Sequence, residues 1–335
     1  MKYSIIICAY NEELHIENCL KSLIPQIISE EEVELLIIDD GSEDDTAKIC
    51  NNILEELDFP AKIIFESISH RGLFESRNYG IESSTGEFIF FLDSDAIIDS
   101  QWFVNIRSSF GNENVDLVSG KVKHLNKESK IATFLFYAHF DCISIKEKSR
   151  VLNINESYMI GANMGFRRIV FDKVGGFITL LKNRGDDTYI NRKYKKEFPK
   201  RKEFYNNEAI VFNEHTDSLK IWLLQGYFGG RNNALIHKLL KETTKVTWYS
   251  YLLIIMVFLS LLSKSFSVLL LVLIFSRFFS RYVFLVRSFK NVNYKINFLT
   301  ALLTIPLHFI AFNLHDIGFI YQKITFLTKW RNESN

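Results

Sequence analysis

The chain has almost no charge of one sign to spare: 40 Lys and Arg face 39 Asp and Glu over 335 residues. That balance excludes an acidic tail and gives no reason to expect a nucleic-acid partner, which would call for a basic face. Cysteine is scarce too, and Cys8, Cys19, Cys50 and Cys142 never fall into C-x-x-C spacing. Cys8, Cys19 and Cys50 sit in strand or helix patterns and read as reduced core residues of a cytosolic domain. No secretory leader is expected. Met1-Lys2 runs directly into the strand pattern Tyr3 to Cys8, with no small-residue cleavage site. Internal repeats and low-complexity tracts are absent.

What is present falls into two parts. Up to about residue 240, short apolar runs alternate with amphipathic segments. Tyr3 to Cys8, Val33 to Ile38, Ala61 to Phe65 and Phe88 to Leu92 read as strands. Asn11, with Glu12 and Glu13 behind it, is placed to cap a helix that buries Ile16, Cys19, Leu20, Leu23 and Ile24. Glu43 to Asp45 open a second helix, and a third spans about Phe74 to Ser84. Such alternation predicts an α/β fold with a mainly parallel sheet and right-handed crossovers.

Beyond about residue 245 the composition changes. Trp248 to Leu262, Phe266 to Val286 and roughly Ile296 to Tyr321 are long apolar stretches with few acidic residues. Since a bilayer span needs about 20 apolar residues, residues 246–325 are expected to form a helical membrane region. Two, three or partly re-entrant segments all fit the pattern, with Arg277 and Arg281 placed to snorkel near one end.

Polar clusters close several of the strands. Tyr10-Asn11 follows the first, Asp39-Asp40-Gly41-Ser42 the second, and Asp93-Ser94-Asp95 the Phe88 to Leu92 run. Ligands in parallel α/β sheets sit beyond the carboxyl ends of strands, so these clusters converge on one edge. Two carboxylates at i and i+2 after a buried strand are costly to desolvate without a positive partner, and a divalent cation supplies one. Each cluster also has a plainer reading as a turn or a helix cap.

In this order and spacing, the motifs resemble the inverting glycosyltransferases of family 2, with a GT-A-type, Rossmann-like nucleotide-sugar-binding domain. The resemblance rests on Ser4 to Glu13, Ile37 to Ser42, Arg71 to Gly80, Gly86 to Asp95, Gly161 to Arg168, Val174 to Phe177, and Gly185-Asp186-Asp187-Thr188 with Arg192. Asp186 stands where the family more often has Glu. The Gln-x-x-Arg-Trp signature of processive synthases is absent, which favours transfer of one sugar at a time. Ile97 replaces the Gln common in polyprenyl-phosphate sugar synthases, the alternative reading, and a non-catalytic binding protein of the same fold is a third.

The resemblance implies a nucleoside-diphosphate sugar donor, UDP- or GDP-linked, bound by Ala9, Tyr10, Asn11, Glu12, Asp39, Asp40, Arg77, Asp93, Ser94 and Asp95. It implies Mg²⁺ or Mn²⁺ on Asp93 and Asp95, with His215 meeting the metal or diphosphate, or standing as a solvated loop histidine. Asp187 is the expected general base, or a helix cap, while Gly161, Asn163 and Asp186 belong to the acceptor side. Arg77 either touches phosphate or pairs with Asp39 or Asp93. The acceptor would be a glycan or polyprenyl-linked molecule in cell-surface polysaccharide or glycoconjugate synthesis. The expected location is a multi-pass protein of the cell membrane, with residues 1–240 as a cytoplasmic catalytic domain against the lipid bilayer.

Overall fold

The computed structural model describes residues 2–55, 62–125, 129, 132, 135, 148–154, 156–181, 184–216, 218–242, 270–276, 279 and 315–322. The chain divides into two compact units: Met1–Asn126 with Glu147–Glu214, and Lys127–Lys146 with His215–Asn335.

In the first unit, β1 (Tyr3–Ala9), β2 (Val33–Asp39), β3 (Lys62–Ser67) and β4 (Phe88–Asp93) lie parallel. Helices α1 (Ile16–Ile27), α2 (Thr46–Glu55) and α3 (Leu73–Ser83) connect them in turn. The sheet order β3-β2-β1-β4 means that successive connections leave β1 in opposite directions. The point between β1 and β4 is therefore a topological switch point, where an α/β sheet opens a crevice at its carboxyl edge. Ile5 to Ile7, Leu35 to Ile38 and Ile89 to Leu92 are almost wholly buried, as strands covered on both faces should be.

The sheet then turns mixed, which the apolar runs of the sequence did not reveal. β8 (Asn163–Arg167) runs antiparallel to both β4 and β6 (Val115–His124), and so fills the centre of the sheet. β6 pairs in parallel with β9 (Lys202–Asn213), whose flanks take the two-residue strands β5 (Ile97–Ile98) and β7 (Arg150–Val151). Short helices α4 (Trp102–Ser108) and α5 (Ile169–Val174) and the longer α6 (Asp186–Glu197) complete this unit.

The first helix departs from expectation. α1 starts at Ile16, not at Asn11, although its apolar stripe is buried as its spacing predicts, with Ile27 added. Asn11 takes a left-handed backbone (φ 55°) and reaches sideways. Its Oδ1 accepts from the Glu43 N–H at 2.9 Å, and its own N–H donates to Ser42 Oγ at 2.9 Å. These cross-loop bonds tie the β1–α1 and β2–α2 turns together, so they displace the local cap.

In the second unit, α7 (Leu219–Leu239) starts at Ser218, whose hydroxyl accepts from the Ile221 N–H, and Arg231 donates to Gln322 Oε1 at 3.2 Å. Among the described residues no helix is long and apolar enough to cross a membrane. The membrane segments expected at 246–325 lie for the most part outside the described residues, so the structure gives them no support.

Candidate active site

The strand register sets the site. Ala9 pairs with Asp39, and Cys8 with Asp93, so the ends of β1, β2 and β4 stand level at one edge. Ala9 is buried and contributes its carbonyl, which accepts the Asp40 N–H at 2.8 Å. Tyr10 projects from the edge, 41% exposed, and stacks on His70 at 4.1 Å between ring centroids. The pair offers a flat aromatic surface of the kind on which a nucleobase stacks.

Asp39 and Asp40 are both buried and both committed. Asp39 accepts from the Ser42 N–H at 3.2 Å and from the Ser67 hydroxyl at 2.7 Å. Asp40 accepts the Arg71 and Gly72 N–H groups at 2.9 and 2.8 Å, and lies 3.0 Å from His70 Nδ1. Its carboxylate thus pins the loop that holds the exposed face of His70.

At the end of β4 the carboxylates crowd. Asp93 and Asp95 are half-buried, and Ser94 is buried in the turn between them. Burial, Asp93 and Glu12 push Asp95 up to about 7, and burial, Asp93 and Asp44 push Glu12 up to about 7. Asp93 is raised as well, by burial, with Arg77 opposing and Asp186 reinforcing the shift. Three acids that resist ionisation together form a site wanting positive charge. Among the described residues no three His, Cys, Asp or Glu side chains form a ready metal cage. Mg²⁺ and Mn²⁺ suit such a place, because the former in particular is commonly held by one or two carboxylates plus substrate phosphates and water. The donor set fits either ion.

Arg77 sits at the junction. Its guanidinium is buried between the rings of Phe91 and Phe177, donates to Asp93 Oδ1 at 3.0 Å and the Gly161 carbonyl at 3.2 Å, and bonds Asp186. Burial opposes its charge, but Asp186 and Asp93 outweigh that and hold its pKa above the ordinary value. Pairing with Asp93 is one of the roles expected of Arg77, and its second pairing, with Asp186, was not foreseen because the two lie 109 residues apart in sequence. Asp186 is buried in this pair, while Asp187 beside it is half-exposed at the first turn of α6. Enclosure and the neighbouring Asp186 raise Asp187 to about 6, against the Thr188 N–H and Arg77, which lower it. The turn is entered through Gly185, whose left-handed φ of 89° suits glycine.

Asn163 lies in the core. Fully buried, it accepts from Trp102 Nε1 at 2.9 Å and donates to the Lys121 and Ala209 carbonyls at 3.1 and 2.8 Å. It cross-links β8 to β6 and β9 where their register shifts, beside Gly120, on which a Cβ would stand 2.2 Å from Asn163 Nδ2. Gly120→Ala is therefore expected to lower stability by about 1–3 kcal/mol through overpacking. A urea midpoint equal to wild type would show that Asn163 can step aside. His215 belongs to the second compact unit.

Comparison with known proteins follows the same line. Residues 4–175, just over half of the chain, match the family described as Glycosyl transferase family 2. The chain is 31% identical to glycosyltransferase AglE of Haloferax volcanii over 189 residues, 56% of this chain and 60% of AglE. It is 34% identical to a poly(ribitol-phosphate) beta-glucosyltransferase of Bacillus spizizenii over 131 residues, 38% of this chain and 20% of that protein. The chain thus spans less than two thirds of the length of these curated relatives. Its fold resembles that of the Pyrobaculum calidifontis mannosyltransferase PcManGT solved with GDP-Man and Mn²⁺ (TM-score 0.59, 13% identity, 96% of this chain and 87% of that one). It also resembles Staphylococcus aureus TarS 1–349 solved with UDP (TM-score 0.52, 18% identity, 75% of each chain).

Proposed function

The chain belongs to glycosyl transferase family 2, and from that membership we propose that it moves one sugar from a UDP- or GDP-linked donor to a glycan or lipid-linked acceptor, with inversion. The observation that carries this reading is the buried guanidinium of Arg77, which joins Asp93 of the Asp93–Asp95 edge to Asp186, the neighbour in sequence of the half-exposed Asp187. One arginine links the place for a diphosphate to the place for a base.

The Tyr10–His70 stack takes the nucleobase, with Asp39 and Asp40 holding the two loops around it. Asp93 and Asp95, with Glu12 beside them, would hold Mg²⁺ or Mn²⁺, which when bound stabilises charge on the diphosphate as a Lewis acid. Asp187, ionised above about 6, accepts the proton of the acceptor hydroxyl. That oxygen then bonds the anomeric carbon on the face opposite the leaving group. The bond to the diphosphate breaks, the nucleoside diphosphate departs, and the configuration inverts. The donors and acceptors of the relatives, among them UDP, GDP-Man and poly(ribitol-phosphate), support the donor class and an acceptor within cell-surface glycoconjugates.

Incubation with Mn²⁺ and a panel of UDP- and GDP-sugars tests the reading. The expected result is a raised melting temperature with one nucleotide series, by linkage, and slow release of free UDP or GDP. Neither stabilisation nor release with any donor would overturn it.

Residues 1–240 form the catalytic domain in this proposal, facing the cytoplasm where nucleotide sugars are made, and 246–325 hold it to the cell membrane. The apolar stretches from Trp248 onward support the anchor. Expressed full-length protein should pellet with membranes and resist carbonate extraction, whereas a chain ending at residue 245 should not. Full-length protein in the soluble fraction would refute the anchor.

A further inference from the structure

The first unit contains a buried charged hub that the chemistry above does not use. Glu203, on β9, is fully buried, and its carboxylate accepts five hydrogen bonds. Oε1 takes the Ser119 hydroxyl at 2.8 Å, the Ser157 hydroxyl at 3.3 Å and the Tyr158 N–H at 3.1 Å. Oε2 takes Asn191 Nδ2 and Lys195 Nζ, each at 2.7 Å. Lys195, itself buried, also donates to the Glu156 carbonyl at 2.5 Å.

Ser119 lies on β6, and the other four donors come from two segments that matter for transfer. Asn191 and Lys195 lie at i+4 and i+8 from Asp187 on α6, so the stripe that carries the base is the stripe bolted to Glu203. Ser157 and Tyr158 begin the run that reaches Gly161, whose carbonyl accepts from Arg77. We propose that Glu203 is a positioning residue, which holds the base-bearing helix α6 and the 156–161 loop in one fixed relation. The inference rests on Asp187 being the base.

What such a hub adds is specificity of position. Apolar side chains of similar volume can often replace a buried ion pair with little loss of stability. An apolar contact, however, tolerates sliding along a helix, whereas a carboxylate with five donors is satisfied in one arrangement and leaves buried polar groups unpaired in others. Misplacement of a catalytic group by about 1 Å is enough to cost on the order of 10²-fold in rate. A hub two helical turns behind the base controls that kind of displacement.

The test uses the full-length protein and the double variant Glu203→Gln/Lys195→Met, which removes both charges together and so leaves neither stranded. Asn191→Ala, which removes one donor and no charge, serves as a second variant should the first fail to fold. Three quantities are compared with wild type and with Asp187→Asn: UDP and GDP affinity in Mn²⁺, release of nucleotide from UDP-GlcNAc, UDP-glucose and GDP-mannose, and amide hydrogen exchange. The double variant should bind nucleotide as wild type does. Exchange should quicken together at 156–161 and 186–191 but not at 33–39 or 88–93, and turnover should fall roughly 10-fold or more, with a smaller fall for Asn191→Ala. Exchange that quickens in only one of the two segments, or a folded variant with wild-type turnover where Asp187→Asn is impaired, overturns the inference. Undiminished turnover in Asp187→Asn instead strikes the assignment of the base, and the exchange result still decides whether Glu203 couples the two segments.

Discussion

Asp95→Ala should abolish sugar transfer and weaken nucleotide affinity in Mn²⁺ by at least ~10-fold, the loss of one of two carboxylates available to the cation and its diphosphate. The same substitution should leave the fold intact. Asp95 is half-buried at the sheet edge, and its ionisation is opposed by burial and by the charges of Asp93 and Glu12. Removing one of three crowded acids therefore relieves repulsion, and the metal-free melting temperature should not fall below that of wild type. The measurements are calorimetric titration of UDP or GDP with and without Mn²⁺, alongside thermal unfolding. Wild-type turnover in Asp95→Ala would remove Asp95 from the site, and equal nucleotide affinity in the two proteins would remove the cation from this edge.

Asp187→Asn should separate chemistry from binding. Nucleotide affinity should stay near wild type while turnover falls by about 10² or more, as expected when a general base is lost. The pH dependence gives an independent check. A base must be unprotonated to act, and Asp187 sits at about 6, so wild-type turnover should rise with pH through that value and level off above it. The Asn variant should lack this limb. If its affinity collapses instead, Asp187 serves the donor. Asp186 is then a poor replacement as base, because its carboxylate is buried against Arg77.

Local pattern carried much of this. Short continuous apolar runs placed β1, β2 and β4, and period-3.6 spacing placed the buried stripe of α1, because both signals are local in sequence. Asp187, read as a base or a helix cap, stands in the first turn of α6. The convergence of Tyr10, Asp39 and Asp93 on one edge followed from the parallel direction expected of their strands.

What the pattern could not carry depended on partners distant in the chain. Asn11 looked like a cap because Glu12 and Glu13 follow it, yet bonds to Ser42 and Glu43, about thirty residues on, claimed both its groups. Gly161 to Arg168 read as one acceptor-side segment, whereas Asn163 to Arg167 became the antiparallel centre of the sheet and drew the Asn163 amide inward. By itself, then, the amino-acid order determined the first four strands, the edge where they end and the acids waiting there. Only the tertiary structure decided which acids Arg77 pairs with, which residues Glu203 gathers and which of Asp186 and Asp187 stays half-exposed. Ionisation and hydrogen bonding are settled by distance in space, through burial and pairing, and residues 109 apart in sequence meet only once the sheet has formed.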